Sequence, residues 1–92
     1  MERITLKEIS EMFSTMETPA KIEKVLNELL TASEINVLSK RWRILKMLDV
    51  GVTQRDISKE LGVSLCKVTR GAKILKDKNT LVTKFLKRRH VQ

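Results

Sequence analysis

The feature that most restricts the fold of this chain is the spacing of its apolar residues, which return every three or four positions from Leu6 to Leu86. That is the period of a helix with one buried face, and no stretch alternates apolar and polar residues as a half-buried strand would. Only one proline and three glycines interrupt the 92 residues, so few positions favour a break. The expected fold is all-α: six helices, no sheet, in a single domain over residues 1–92.

Capping residues say where the helices begin. Thr5 with Glu8 has the spacing of a capping box ahead of Leu6, Ile9, Met12, Phe13 and Met16. Thr18 followed by Pro19 reads as an N-cap with proline at the first helical position, where its missing N–H is not needed. Ile22, Val25, Leu26, Leu29 and Leu30 line that second helix. Thr31 with Glu34 is another capping box and opens a long third helix with Ile35, Leu38, Trp42, Leu45 and Leu48 on one face. Gly51 stands just past its end, where a left-handed cap is expected. Thr53 caps a short helix from Gln54 to Leu61 that Gly62 ends, and Ser64 caps a fifth running to about Lys76. Asp77 to Thr80 is a polar turn. Leu81, Val82, Phe85 and Leu86 make a last amphipathic helix, after which Lys87 to His90 is expected to fray.

Charge separates the chain into two parts. Residues 1–34 carry four basic side chains against seven glutamates, a net −3, whereas residues 35–92 carry fifteen basic against four acidic, a net +11. The whole excess of +8 therefore lies beyond the second helix, as in a scaffold joined to a nucleic-acid face. Several classes are excluded. With one cysteine, Cys66, and one histidine, His90, a single chain can form neither an internal disulfide nor a zinc site. Those two residues fall on different helices, and no acid pair or phosphate-cradling glycine loop accompanies them, so no catalytic residue is assigned and no enzyme is expected. No apolar run reaches the ~18 residues of a membrane span and no signal-peptide pattern opens the chain. The expected location is the cytoplasm.

The element that carries function lies at residues 53–76. A helix-turn-helix needs apolar residues one turn apart on its first helix, and Ile57 and Leu61 supply them. Small Ser58 allows close approach of the second helix, and Gly62 can take the positive φ of a sharp turn. Val63 plugs the core under the turn, Ser64 caps the second helix and Val68 anchors it from inside. With Val68 inward, Leu65, Cys66, Lys67 and Thr69 occupy the exposed N-terminal half, the part that enters a major groove. Lys67 can donate to guanine, Thr69 to a base edge or phosphate, and Leu65 can meet a thymine methyl. Arg55 is placed to hold a phosphate or reach a flanking base. Lys59, Lys73 and Lys76 suit phosphate contacts, which position a protein without reading sequence.

From Leu30 to Lys76 the chain resembles the tryptophan repressor family. The matching residues are Leu30-Thr31-Ala32-Ser33-Glu34, Arg41 with Arg43-Ile44-Leu45, Gly51, Thr53-Gln54-Arg55-Asp56-Ile57, Leu61-Gly62, Thr69-Arg70-Gly71 and Leu75-Lys76. The resemblance implies an intertwined homodimer with two reading heads on a two-fold axis, binding palindromic double-stranded operator DNA as a transcriptional repressor. It implies L-tryptophan as corepressor, with Arg41 and Arg70 sandwiching the indole ring, Arg41 also meeting the carboxylate, and Gly71 leaving room beside the ring. Thr31, Leu30 and Glu28 of the partner chain would close the pocket around the amino group. Ile74 stands where the tryptophan-binding members place a small hydroxyl side chain, and the loop from Gly51 to Thr53 is one residue shorter than theirs.

Three functions remain open at this point: a tryptophan-gated repressor, a DNA-binding regulator of the same fold without a corepressor, and a basic helical module that binds an acidic protein.

Overall fold

The computed structural model describes residues 3–90, and residues 1–2, 91–92 and the side chain of His90 lie outside what is described. Six helices follow in order: α1 (Lys7–Ser14), α2 (Pro19–Leu29), α3 (Ala32–Asp49), α4 (Gln54–Leu61), α5 (Leu65–Lys76) and α6 (Leu81–His90). No strand occurs among the described residues. The chain divides into two compact units after Ile35.

In the first unit, Thr18 caps α2 by accepting from the Lys21 backbone N–H at 3.2 Å, with Pro19 at the first helical position. The Thr31 capping box opening α3 is complete. Thr31 Oγ1 accepts from the Glu34 N–H at 3.2 Å, and Glu34 Oε1 accepts from the Thr31 N–H at 2.9 Å. The expected box at Thr5 does not form. The Thr5 hydroxyl instead accepts from Lys7 N–H, two residues on, and Leu6 occupies the cap position in a helical conformation with no side-chain bond. No residue of α1 or α2 is buried.

The second unit holds the core. Ile44 of α3, Ile57 of α4 and Val68 of α5 are 2%, 0% and 0% exposed and meet at its centre, with Met47, Leu48, Val52, Leu61 and Val63 packed around them. Each such side chain contributes about 1.5–3 kcal/mol of burial, so three helices are joined mainly through three residues. The expected apolar face of α3 is shifted. Leu45 is buried, but Leu38 and Trp42 remain 48% and 37% exposed and Ile44 takes the central place.

Backbone turns set the angles between these helices. After α3, Gly51 adopts φ +91°, Val52 N–H reaches the Met47 carbonyl and Gly51 N–H the Leu48 carbonyl, the paired bonds of a Schellman ending. Gly62 does the same for α4 at φ +64°, with Val63 N–H on the Ser58 carbonyl. Helix α6 continues through the residues expected to fray, since cations in a last turn complement the negative end of the helix dipole. Its start is fixed by Thr80, whose hydroxyl accepts from the Thr83 N–H. Buried Thr83 in turn donates to the Ile74 carbonyl at 3.0 Å, tying α6 to α5.

Candidate nucleic-acid interface and adjoining cavity

Helices α4 and α5 are capped in the same way. Thr53 Oγ1 accepts from Asp56 N–H at 3.2 Å, and Ser64 Oγ accepts from Lys67 N–H at 3.4 Å. Between them, Ser58 Oγ donates to the Val63 carbonyl at 2.6 Å, a bond that holds the turn against α4. With Val68 fully buried, the helical period turns Leu65, Cys66, Lys67 and Thr69 outward, and all four are exposed. The face therefore offers one ammonium, one hydroxyl, one thiol and an isobutyl group, which is the mixture of donors and apolar contacts that base edges require.

Arg55, Lys59, Lys73 and Lys76 are exposed as well, around the same helix pair. The Thr69 hydroxyl faces the Leu65 carbonyl at 3.0 Å and Gln54 Oε1 at 3.1 Å. It has one proton to share between them, so its remaining role toward a ligand is as an acceptor. The sequence assigns Gln54 no role in the site. Its place at the start of α4, across from Thr69, joins the two helices on their outer side, and only the packing of α4 on α5 reveals it.

Behind this face lies a small cavity of about 80 Å³ lined by Arg41, Ile44, Leu45, Lys67, Arg70, Gly71 and Ile74. Four residues expected to hold a ligand, Arg41, Arg70, Gly71 and Ile74, are thus brought together from α3 and α5. Lys67, assigned to base reading, lines it too. The absence of a side chain at Gly71 makes the close approach possible. A Cβ there would stand 3.0 Å from Ile44 Cγ2 and 3.3 Å from Leu48 Cδ1. Three cations, Arg41, Lys67 and Arg70, line the cavity beside apolar Ile44, Leu45 and Ile74, a lining that suits an apolar group bearing a negative charge. Glu28 and Leu30 are at the end of α2 and Thr31 precedes α3, all within the first unit.

The Trp repressor protein family model matches residues 4–90, nearly the whole chain. The chain belongs to the Trp repressor protein family. A Trp operon repressor homolog of Xylella fastidiosa strain M23 is 39% identical over 66 residues, covering 71% of this chain and 70% of the relative. A Trp operon repressor homolog of Chlamydia trachomatis serovar D is 33% identical over 81 residues, covering 83% and 86%. That of Chlamydia caviae is 32% identical over 78 residues, covering 84% and 77%. No solved structure matches this chain. The family is one of DNA-binding regulators rather than enzymes, which makes this member of the Trp repressor family a repressor-like regulator of transcription. No helix among the described residues is long and apolar enough to cross a membrane.

Proposed function

We propose that the protein is a homodimeric, sequence-specific transcriptional repressor whose residues 53–76 form a helix-turn-helix, with α5 lying in the major groove of a palindromic operator. The supporting observation is the exposed row Leu65, Cys66, Lys67 and Thr69 on a helix anchored by fully buried Val68. Arg55, Lys59, Lys73 and Lys76 hold phosphates beside it. Two copies on a two-fold axis present two such helices, and successive major grooves on one side of B-DNA are ~34 Å apart.

L-tryptophan is the proposed corepressor, bound between Arg41 and Arg70, with Gly71 and Ile74 beside the ring and Glu28, Leu30 and Thr31 of the second copy closing the site. Because the cavity is built from α3 and α5, a ligand there changes the seat of the reading helix relative to the core. Favouring one seat shifts the population toward the head spacing that fits the operator. A second reading, a repressor without a corepressor, is favoured by one observation: the Ile74 side chain lines the small cavity and supplies no acceptor for an ammonium group.

Calorimetric titration with L-tryptophan separates the two, since a heat readout is not confused by Trp42. Saturable binding at one ligand per chain, lost in Arg70→Ala, is the expected result; no heat at millimolar ligand selects the second reading. For the DNA face, Lys67→Ala is expected to relax sequence preference while Lys76→Ala weakens all sequences alike. Equal, uniform losses from both would remove Lys67 from base reading. A salt dependence too shallow for phosphate neutralisation would instead favour an acidic protein partner.

A further inference from the structure

The last sixteen residues carry five basic side chains and one acidic one, a net +4, which is half of the chain's excess. Four of these cations, Lys78, Lys84, Lys87 and Arg88, border a shallow concavity of about 460 Å³ floored by buried Thr83. No carboxylate lines it. Lys21 pairs with Glu17 in the other unit, and among the described residues no ion pair is formed by any of the four cations. The one carboxylate nearby in sequence, Asp77, accepts from the Asn79 N–H.

Helix electrostatics explain only half of this cluster. Lys87 and Arg88 stand in the last turns of α6, where positive charge is favourable. Lys78 precedes the helix and Lys84 follows its first residue by three positions, at the positive end of the dipole, where acidic residues are favoured and α6 has none. Like charges gathered there are stabilised by an external anion and not by the fold. The shape of α6 says which kind. Of its apolar residues Leu86 is buried, whereas Phe85, which packs on Trp42 with ring centroids 5.9 Å apart, and Leu81 stay 49% and 82% exposed. Neither of those exposed side chains lines the concavity, which therefore offers a lipid surface or an acidic peptide no apolar anchor among the four cations. A row of phosphates needs none.

We propose that the Lys78, Lys84, Lys87 and Arg88 face engages the phosphate backbone of duplex DNA outside the segment read by α5. The inference rests on the DNA-binding function proposed above and adds a second contact surface to it. Helix α6 packs directly on α5, so the face is carried by the same unit as the reading helix and engages backbone flanking the operator. It supplies affinity without sequence information, because phosphates are the same in every sequence.

The test is fluorescence anisotropy of the full-length protein with a 40-base-pair mixed-sequence duplex between about 50 and 300 mM salt. Wild type is compared with K78A/K84A/K87A/R88A and with K78R/K84R/K87R. Each neutralised phosphate adds about 0.9 to the slope of log K against log salt. The alanine variant is expected to flatten that slope by about 3 or more, and the arginine variant to leave it unchanged. All four side chains are exposed, and the far-ultraviolet circular dichroism of both variants is expected to match wild type. An unchanged slope in an alanine variant that still binds the duplex would overturn this inference and leave the function of α5 standing. Failure of wild type to bind any duplex would overturn both. Loss of binding to anionic vesicles or polyglutamate, with the DNA slope intact, would assign the face to a different partner and overturn it as well.

Discussion

Gly71 controls both packing and the cavity. It is buried in α5 against Ile44, Leu45 and Leu48, and a methyl group at this position would press on Ile44, which is itself only 2% exposed. Alanine gains about 1 kcal/mol of helix propensity over glycine, while overpacking a closed core costs about 1–3 kcal/mol. Gly71→Ala is therefore expected to lower unfolding free energy by about 1 kcal/mol and to narrow the cavity between Arg41 and Arg70. Urea denaturation measures the first effect; a stability equal to or above wild type would mean that Ile44 and Leu48 yield freely. The sequence named Gly71 through its place in the Thr69-Arg70-Gly71 run. What the glycine touches was not legible there, because Ile44 lies 27 positions earlier on another helix.

Among the elements, the caps divide into those that hold and the one that does not. Thr53 and Ser64 each satisfy a backbone N–H at the start of α4 and α5, and Thr53→Ala or Ser64→Ala is expected to cost about 1 kcal/mol. Thr5 makes no corresponding bond to Glu8 N–H, so Thr5→Ala is expected to change stability by only a few tenths of a kcal/mol. Thermal unfolding of the three variants ranks them, and an equal loss from Thr5→Ala would show that α1 is capped in solution after all. The difference has a local cause. Thr31 with Glu34 closes its box reciprocally because Thr31 leaves the helix and takes the cap position, whereas at α1 Leu6 takes it in a helical conformation. The spacing of a threonine and a glutamate indicates that a box can form; the backbone angle at the cap decides whether it does.

For the whole molecule, the distribution of apolar surface is decisive. No side chain of α1 or α2 is buried, and Ile4, Leu6 and Leu29 stand 103%, 73% and 55% exposed. In the second unit Leu38, Trp42, Leu81 and Phe85 are exposed as well. Exposed apolar surface on this scale is a mark of association, and the partner proposed here is a second copy. Sedimentation equilibrium at micromolar concentration is expected to give twice the 10.6 kDa chain mass. A single-chain mass would remove the homodimer from the proposal, together with the contribution of Glu28, Leu30 and Thr31 to a neighbouring site.

The helices, their starts at Thr18, Thr31, Thr53 and Ser64, the two positive-φ glycines that end α3 and α4, and the outward row on α5 were all readable from residue spacing. They depend on interactions within a few positions of one another, and a helical period or a cap is local. The centre of the core at Ile44, the link between Thr69 and Gln54, and the arrival of Lys67 in the cavity with Arg41 and Arg70 were decided only by tertiary structure. Each brings together side chains from different helices, and the angle at which two helices meet is set by how their surfaces interlock, which the period of either helix alone leaves open.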